Sequence, residues 1–155
     1  MKRNIILIAS AAILFVSCAS PQKLAEKRME VAEAVASRRV HINITSMNAS
    51  RYGGRPVSPD FFLELRGDTL NSYLPYFGQA YRAPMGSPSV GLNFEAPILT
   101  YKESRLKKNL TRIETKVRTQ EDEYRYMIDV YDTGEAYIRV TSQYRDPISF
   151  DGRLE

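Results

Sequence analysis

Asp132-Thr133-Gly134 is the tripeptide in which aspartic proteases hold a catalytic carboxylate, and it is the sharpest chemical pattern in the sequence. Proteolysis of that kind needs a second carboxylate beside the first, so that one is ionised while the other carries a proton. A long chain with a supporting hydrophobic-Gly element would also have to follow, and only 21 residues lie beyond Gly134. Asp and Gly are favoured in tight turns for their own backbone reasons, so the tripeptide reads as a turn. Glu121-Asp122-Glu123 lacks the alternating oxygen ligands of a calcium loop and reads as a solvated loop. Gly86 to Gly91 (GSPSVG) holds two serines but no G-x-S-x-G elbow. His41 is the single histidine, which leaves a Ser–His–Asp triad or a zinc site without support. No metal and no cofactor is expected.

Cys18 is the single cysteine, and its position carries the firmest functional statement. Lys2 and Arg3 precede an apolar run from Ile5 to Val16, 12 residues long. A membrane-spanning helix needs about 20, so the run reads as the core of a signal peptide. Phe15-Val16-Ser17-Cys18 resembles a bacterial lipobox, with Phe at its first position. The resemblance implies cleavage before Cys18 and acylation of its thiol, giving a signal peptide over 1–17, a tether over 18–22 and one mature domain over 23–155. Without Lys2 and Arg3 the mature chain has 20 basic against 18 acidic residues, dispersed, which argues against nucleic acid as a partner. The mature chain holds no second cysteine for a disulfide, so the core alone must hold the fold.

The elements that would position any site follow from periodicity. Residues 23–37 are strong helix formers, with Leu24, Arg28, Val31 and Val35 beside Ala25, Met29, Ala32 and Ala36. This predicts a helix packing an Ala-rich stripe on a sheet. From Arg39 the period becomes two: Val40, Ile42 and Ile44 alternate with His41, Asn43 and Thr45, which places His41 on a wet face. Residues 48–60, with Gly53-Gly54 and two prolines, read as a loop.

Three hairpins follow. FFLELR and TLNSYL flank Gly67-Asp68, and ILTYKES pairs with LTRIETKVRT around Lys107-Lys108-Asn109. In the third, a three-residue loop at 132–134 sets Val130 opposite Ala136, Ile128 opposite Ile138 and Tyr126 opposite Val140. Every pair on that face is apolar, which fixes the register. The expected fold is α+β and mainly antiparallel: one curved sheet of about seven to nine strands, a half-barrel or open sandwich, with the N-terminal helix packed on it.

The most distinctive stretch is NSYLPYFGQAYRAP at 71–84. Pro75 must end a strand, and Gly78 permits a bend or a close approach. Two readings stand: a corner whose rings plug the core, which is favoured, or a rim in which Tyr76, Phe77, Tyr81 and Arg82 contact a sugar or peptide. YLPYFGQAY, GLNFEAP at 91–97 and GEAYIRVTSQYRDPISFDG at 134–152 resemble the family of Bacteroidota lipoproteins known as domain of unknown function 4251. The resemblance covers nearly the whole mature chain. It implies an envelope location and brings no catalytic residues.

The expected function is therefore a non-enzymatic envelope lipoprotein, an accessory or binding module held to the membrane through Cys18, with a protein or glycan as partner. The alternative is a periplasmic hydrolase-type enzyme with a carboxylate and tyrosine site. The segment ASPQKLAE offers a single acidic residue, Glu26, where surface export follows an acidic cluster, so an outer-membrane lipoprotein facing the periplasm is expected.

Overall fold

The computed structural model describes residues 21–81 and 91–155. Helix α1 (Pro21–Ala36) is followed by nine strands: β1 (Arg39–Ala49), β2 (Gly53–Pro56), β3 (Phe62–Arg66), β4 (Thr69–Leu74), β5 (Leu92–Lys107), β6 (Leu110–Arg118), β7 (Glu123–Tyr131), β8 (Glu135–Thr141) and β9 (Ile148–Leu154). All pairings are antiparallel, in the order β2-β1-β3-β4-β5-β6-β7-β8-β9, and β9 returns to pair with β1. The sheet therefore closes into an eight-stranded barrel, with β2 hanging from the far half of β1. This corrects the half-barrel or open sandwich expected from the sequence: alternation defines a wet and a dry face but does not say that the first and last strands meet.

β1 has two neighbours along one edge. Asn43 and the residues before it pair with β3, while Ser46–Ala49 pair with β2. On the other edge it pairs with β9, with a bulge between Ile44 and Ser46. The bulge shifts the inward phase from Val40, Ile42 and Ile44 to Met47 and Ala49. At this seam Gly152 is opposite Ile44 and packs directly against the Asn43 carbonyl. β2 falls inside the segment expected to be loop. A three-residue turn, closed by Gly53 in a left-handed conformation, folds GGRP back onto β1.

An eight-stranded barrel has an interior just wide enough for side chains to fill. Here Ile42, Leu63, Leu65, Leu70, Leu92, Ile113, Ile128, Ile138 and Phe150 fill it, all fully buried. One polar chain crosses the core: the Tyr126 hydroxyl donates to Ser72 Oγ (3.0 Å), which donates to the Leu92 carbonyl (2.7 Å). Burial drives the ionisation of Tyr126 far upward, so the phenol stays neutral and donating.

All three hairpins form where expected, and the third takes the expected register, with Ile128 opposite Ile138. β5 is longer than read, running 16 residues with single-residue bulges at Leu99 and Leu106. Helix α1 differs in how it packs. It crosses one end of the barrel and buries only Val31 and Val35, while Met29 is 74% exposed and the Ala25–Met29–Ala32–Ala36 line faces solvent. A helix laid across a rim touches it along one i, i+4 line, whereas the expected Ala-rich stripe supposed a flat sheet. Lys27 Nζ donates to the Leu154 carbonyl (3.1 Å), and Arg38, in a left-handed conformation, turns the chain into β1. No helix among the described residues is long and apolar enough to cross a membrane.

Candidate functional site

The loops opposite α1 gather most of the side chains singled out in the sequence. β4 ends at Leu74, where Pro75 cannot donate to a ladder, and the chain bends over the barrel mouth. Tyr76 turns inward, half-buried, and its hydroxyl donates to the Gln79 carbonyl at 2.9 Å, with the Asp146 carbonyl at 3.2 Å. Gly78 lies against this ring. Its φ is not left-handed; a Cβ there would sit 2.7 Å from the Tyr76 hydroxyl and 3.5 Å from Asp146 Cβ. Gly78→Ala is therefore expected to displace the Tyr76 ring from its carbonyls and cost about 1 kcal/mol or more, measured as a lowered urea midpoint; an unchanged midpoint would contradict this packing.

Asp146 organises the whole segment. It accepts the Tyr81 hydroxyl at 2.7 Å and the Gln79 N–H at 3.4 Å, and Arg51 Nε, from the turn after β1, lies 3.0 Å away. Backbone hydrogen bonds between Tyr81 and Tyr144 and between Asp146 and Gln79 add a short bridge to the loop before β9. The Tyr81 hydroxyl and these donors hold the Asp146 carboxyl below the usual carboxylate range, and the same hydrogen bond raises the Tyr81 phenol above its ordinary value. A general base or nucleophile near neutral pH needs the reverse: a carboxylate pushed up or a phenol pulled down. This set is tuned to stay ionised on one side and protonated on the other. It works as a clamp.

The rings divide between the two expected readings. Tyr76 is the corner plug, whereas Tyr81 and Phe77 are exposed, 63% and 39% respectively. Phe77 is boxed rather than buried. Tyr52 meets it edge-on at 4.7 Å between centroids, and the Arg55 guanidinium lies 4.3 Å over its face. The favoured corner thus holds for one ring of three. Arg82 and Cys18 lie outside the described residues, as do Ser87 and Ser89.

Glu121-Asp122-Glu123 is corrected from a solvated loop to an ordered one. Asp122 is buried and accepts the backbone N–H groups of Glu123, Gln143 and Tyr144. The buried Arg145 pairs with Glu121 at 3.2 Å and stacks over Tyr76 at 5.1 Å. A small cleft of about 310 Å³ opens between these two loops. Sequence reasoning missed Arg51, Tyr52, Arg55, Arg145 and Asp146. Asp146 stands before Pro147 and reads as an ordinary turn residue, and nothing local ties it to Tyr81.

The remaining candidates lie elsewhere. Asp132 is a turn residue, as expected, with Gly134 left-handed beside it. It also pairs with Arg105 of the neighbouring hairpin, whose Nη2 lies 3.0 Å from each carboxylate oxygen. That partner is a cation where acid–base proteolysis needs a second carboxylate. His41 sits on the outer wall, stacked on Phe62 at 5.2 Å with Glu64 at 4.0 Å. Among the described residues no group of three or more His, Cys, Asp or Glu side chains could hold a metal ion.

Comparison with known proteins agrees with this architecture. The crystal structure of a DUF4251 family protein from Bacteroides eggerthii superposes with a TM-score of 0.66 at 11% sequence identity, covering 84% of this chain and 87% of that one. At that identity the likeness speaks for the fold alone. No curated protein matches the sequence. Residues 22–154 match the family described as Domain of unknown function (DUF4251), which takes in the helix and all nine strands, and the chain belongs to that family.

Proposed function

We propose that the chain is an outer-membrane lipoprotein facing the periplasm, tethered through acylated Cys18, and that its mature domain is a non-enzymatic binding or accessory module. The observation that carries this reading is the polarity of the barrel. The helix that begins three residues after Cys18 closes one end, and the exposed, held side chains Tyr52, Phe77, Tyr81 and Arg55 gather at the other. Three residues span at most about 11 Å, so a lipid on Cys18 keeps the helix end near the bilayer and directs the loop end away from it. Side chains occupy the barrel interior, which leaves its surface to do the binding. The pKa pattern of Tyr81 and Asp146 weighs against the hydrolase alternative.

Cys18→Ala is expected to move the domain from the membrane fraction to the soluble periplasm, or to leave an unprocessed precursor, as read by fractionation and mobility. Fully processed, membrane-bound protein in that variant would overturn the tether. Removal of the domain by protease added to intact cells would overturn the periplasmic orientation.

A further inference from the structure

We infer that Arg55, held over the Phe77 ring, is the anchor through which the loop end receives a carboxylate from the acidic surface of a partner protein. The inference rests on reading that end as the binding surface, and it adds the chemistry of what binds.

Most arginines of the barrel wall already face a carboxylate within 4 Å, among them Arg51, Arg112 and Arg145. Arg55 does not. Among the described residues it has no ion pair and no hydrogen bond, and its one partner is the Phe77 ring. Other arginines without an ion pair, such as Arg39 and Arg139, have no ring to hold them either. Attraction to a ring consumes no hydrogen-bond acceptor, so the five N–H donors of the guanidinium fork stay open to a bidentate carboxylate. Arg55 is thus ordered in advance, with its hydrogen-bonding capacity unspent.

The surroundings favour an acidic protein over a neutral sugar. A sugar stacks on an open ring face, yet Phe77 already has Tyr52 against it and Arg55 over it. What the patch offers outward is the Arg55 cation, the Tyr52 phenol and the exposed ring of Tyr81. Arg51, sequence neighbour of Tyr52, reaches the Tyr81 hydroxyl at 3.3 Å, so the patch runs unbroken from Tyr81 to Arg55. Rigid tyrosines and arginines are the side chains on which protein interfaces concentrate their energy. Of the loop carboxylates, Asp146 pairs with Arg51 and Glu121 with Arg145, while Asp60 accepts the Ser58 hydroxyl. Among the described residues of this patch, the cation left without a carboxylate is Arg55.

The test places a photo-reactive phenylalanine analogue at Tyr52 of the full-length lipoprotein in cells, alone and with Arg55→Glu, Arg55→Gln or Arg55→Lys. The expected result is a crosslinked protein whose attached peptide contains Asp or Glu. Its yield should fall about tenfold or more with Arg55→Glu and Arg55→Gln, and less with Arg55→Lys. In extracts the yield should also drop as salt is raised to roughly 0.5 M. Matching melting midpoints for the Arg55→Gln variant and the parent separate lost binding from lost folding. A protein crosslink indifferent to Arg55 overturns this inference while leaving the binding-module reading standing. A crosslink to glycan or lipid overturns it too, and no crosslink at all overturns both.

Discussion

Replacing Gly152 with alanine is expected to destabilise the domain by about 3 kcal/mol, the upper end of the usual cost of overpacking, and to lower its melting midpoint by roughly 10 °C. The added methyl would lie 2.5 Å from the Asn43 carbonyl oxygen and 2.7 Å from Ile42 Cγ2. A flexible side chain could swing aside, but a backbone carbonyl in a ladder cannot move without drawing its strand along. That strand is β1, and the displaced contact is its pairing with β9, the seam that closes the barrel. Hydrogen exchange should show the loss concentrated in the amides of β1 and β9, with β6 and β7 less affected. An unchanged midpoint would mean that the two strands do not approach as closely as described.

The second large effect lies in the middle of the core. Ile128 is fully buried, opposite Ile138 on one neighbouring strand and Ile113 on the other. Truncation to alanine should cost about 2 to 5 kcal/mol, and Ile128→Val only about 0.5 to 1.5 kcal/mol, because the cost follows the volume left empty. Chemical denaturation of the two variants gives the comparison. Equal losses would point to a site that collapses freely, which a filled eight-stranded barrel does not allow.

The Ile128–Ile138 pair was legible from the sequence because a three-residue turn at Asp132-Thr133-Gly134 and a period of two leave one register in which both faces sort correctly. Barrel closure was not, because β1 and β9 lie about a hundred residues apart and neither strand's alternation names a partner. β2 escaped notice because Gly53-Gly54-Arg55-Pro56 has no alternation and is rich in turn residues. The site divides in the same way. The aromatic segment around Gly78 stood out by composition. The carboxylate that orders it, Asp146, sits 65 residues beyond Tyr81, where only the tertiary fold connects them. Met29 shows the reverse error: its spacing fits a buried stripe, but the helix meets a rim and not a plane.

Closure by the first and last strands also governs how the domain comes into being. Until β9 docks, β1 presents an open strand edge, the kind of surface on which chains mispair. Its lasting partner on that side is β9, so the contact that ends the exposure is among the most distant in sequence within the barrel. Folds governed by such distant pairings are slow to form and exposed to aggregation while they wait. Joining β9 to β1 is therefore the step that completes the barrel, and it comes late in folding. A barrel fastened by β1 and β9 is not a barrel until both are in place.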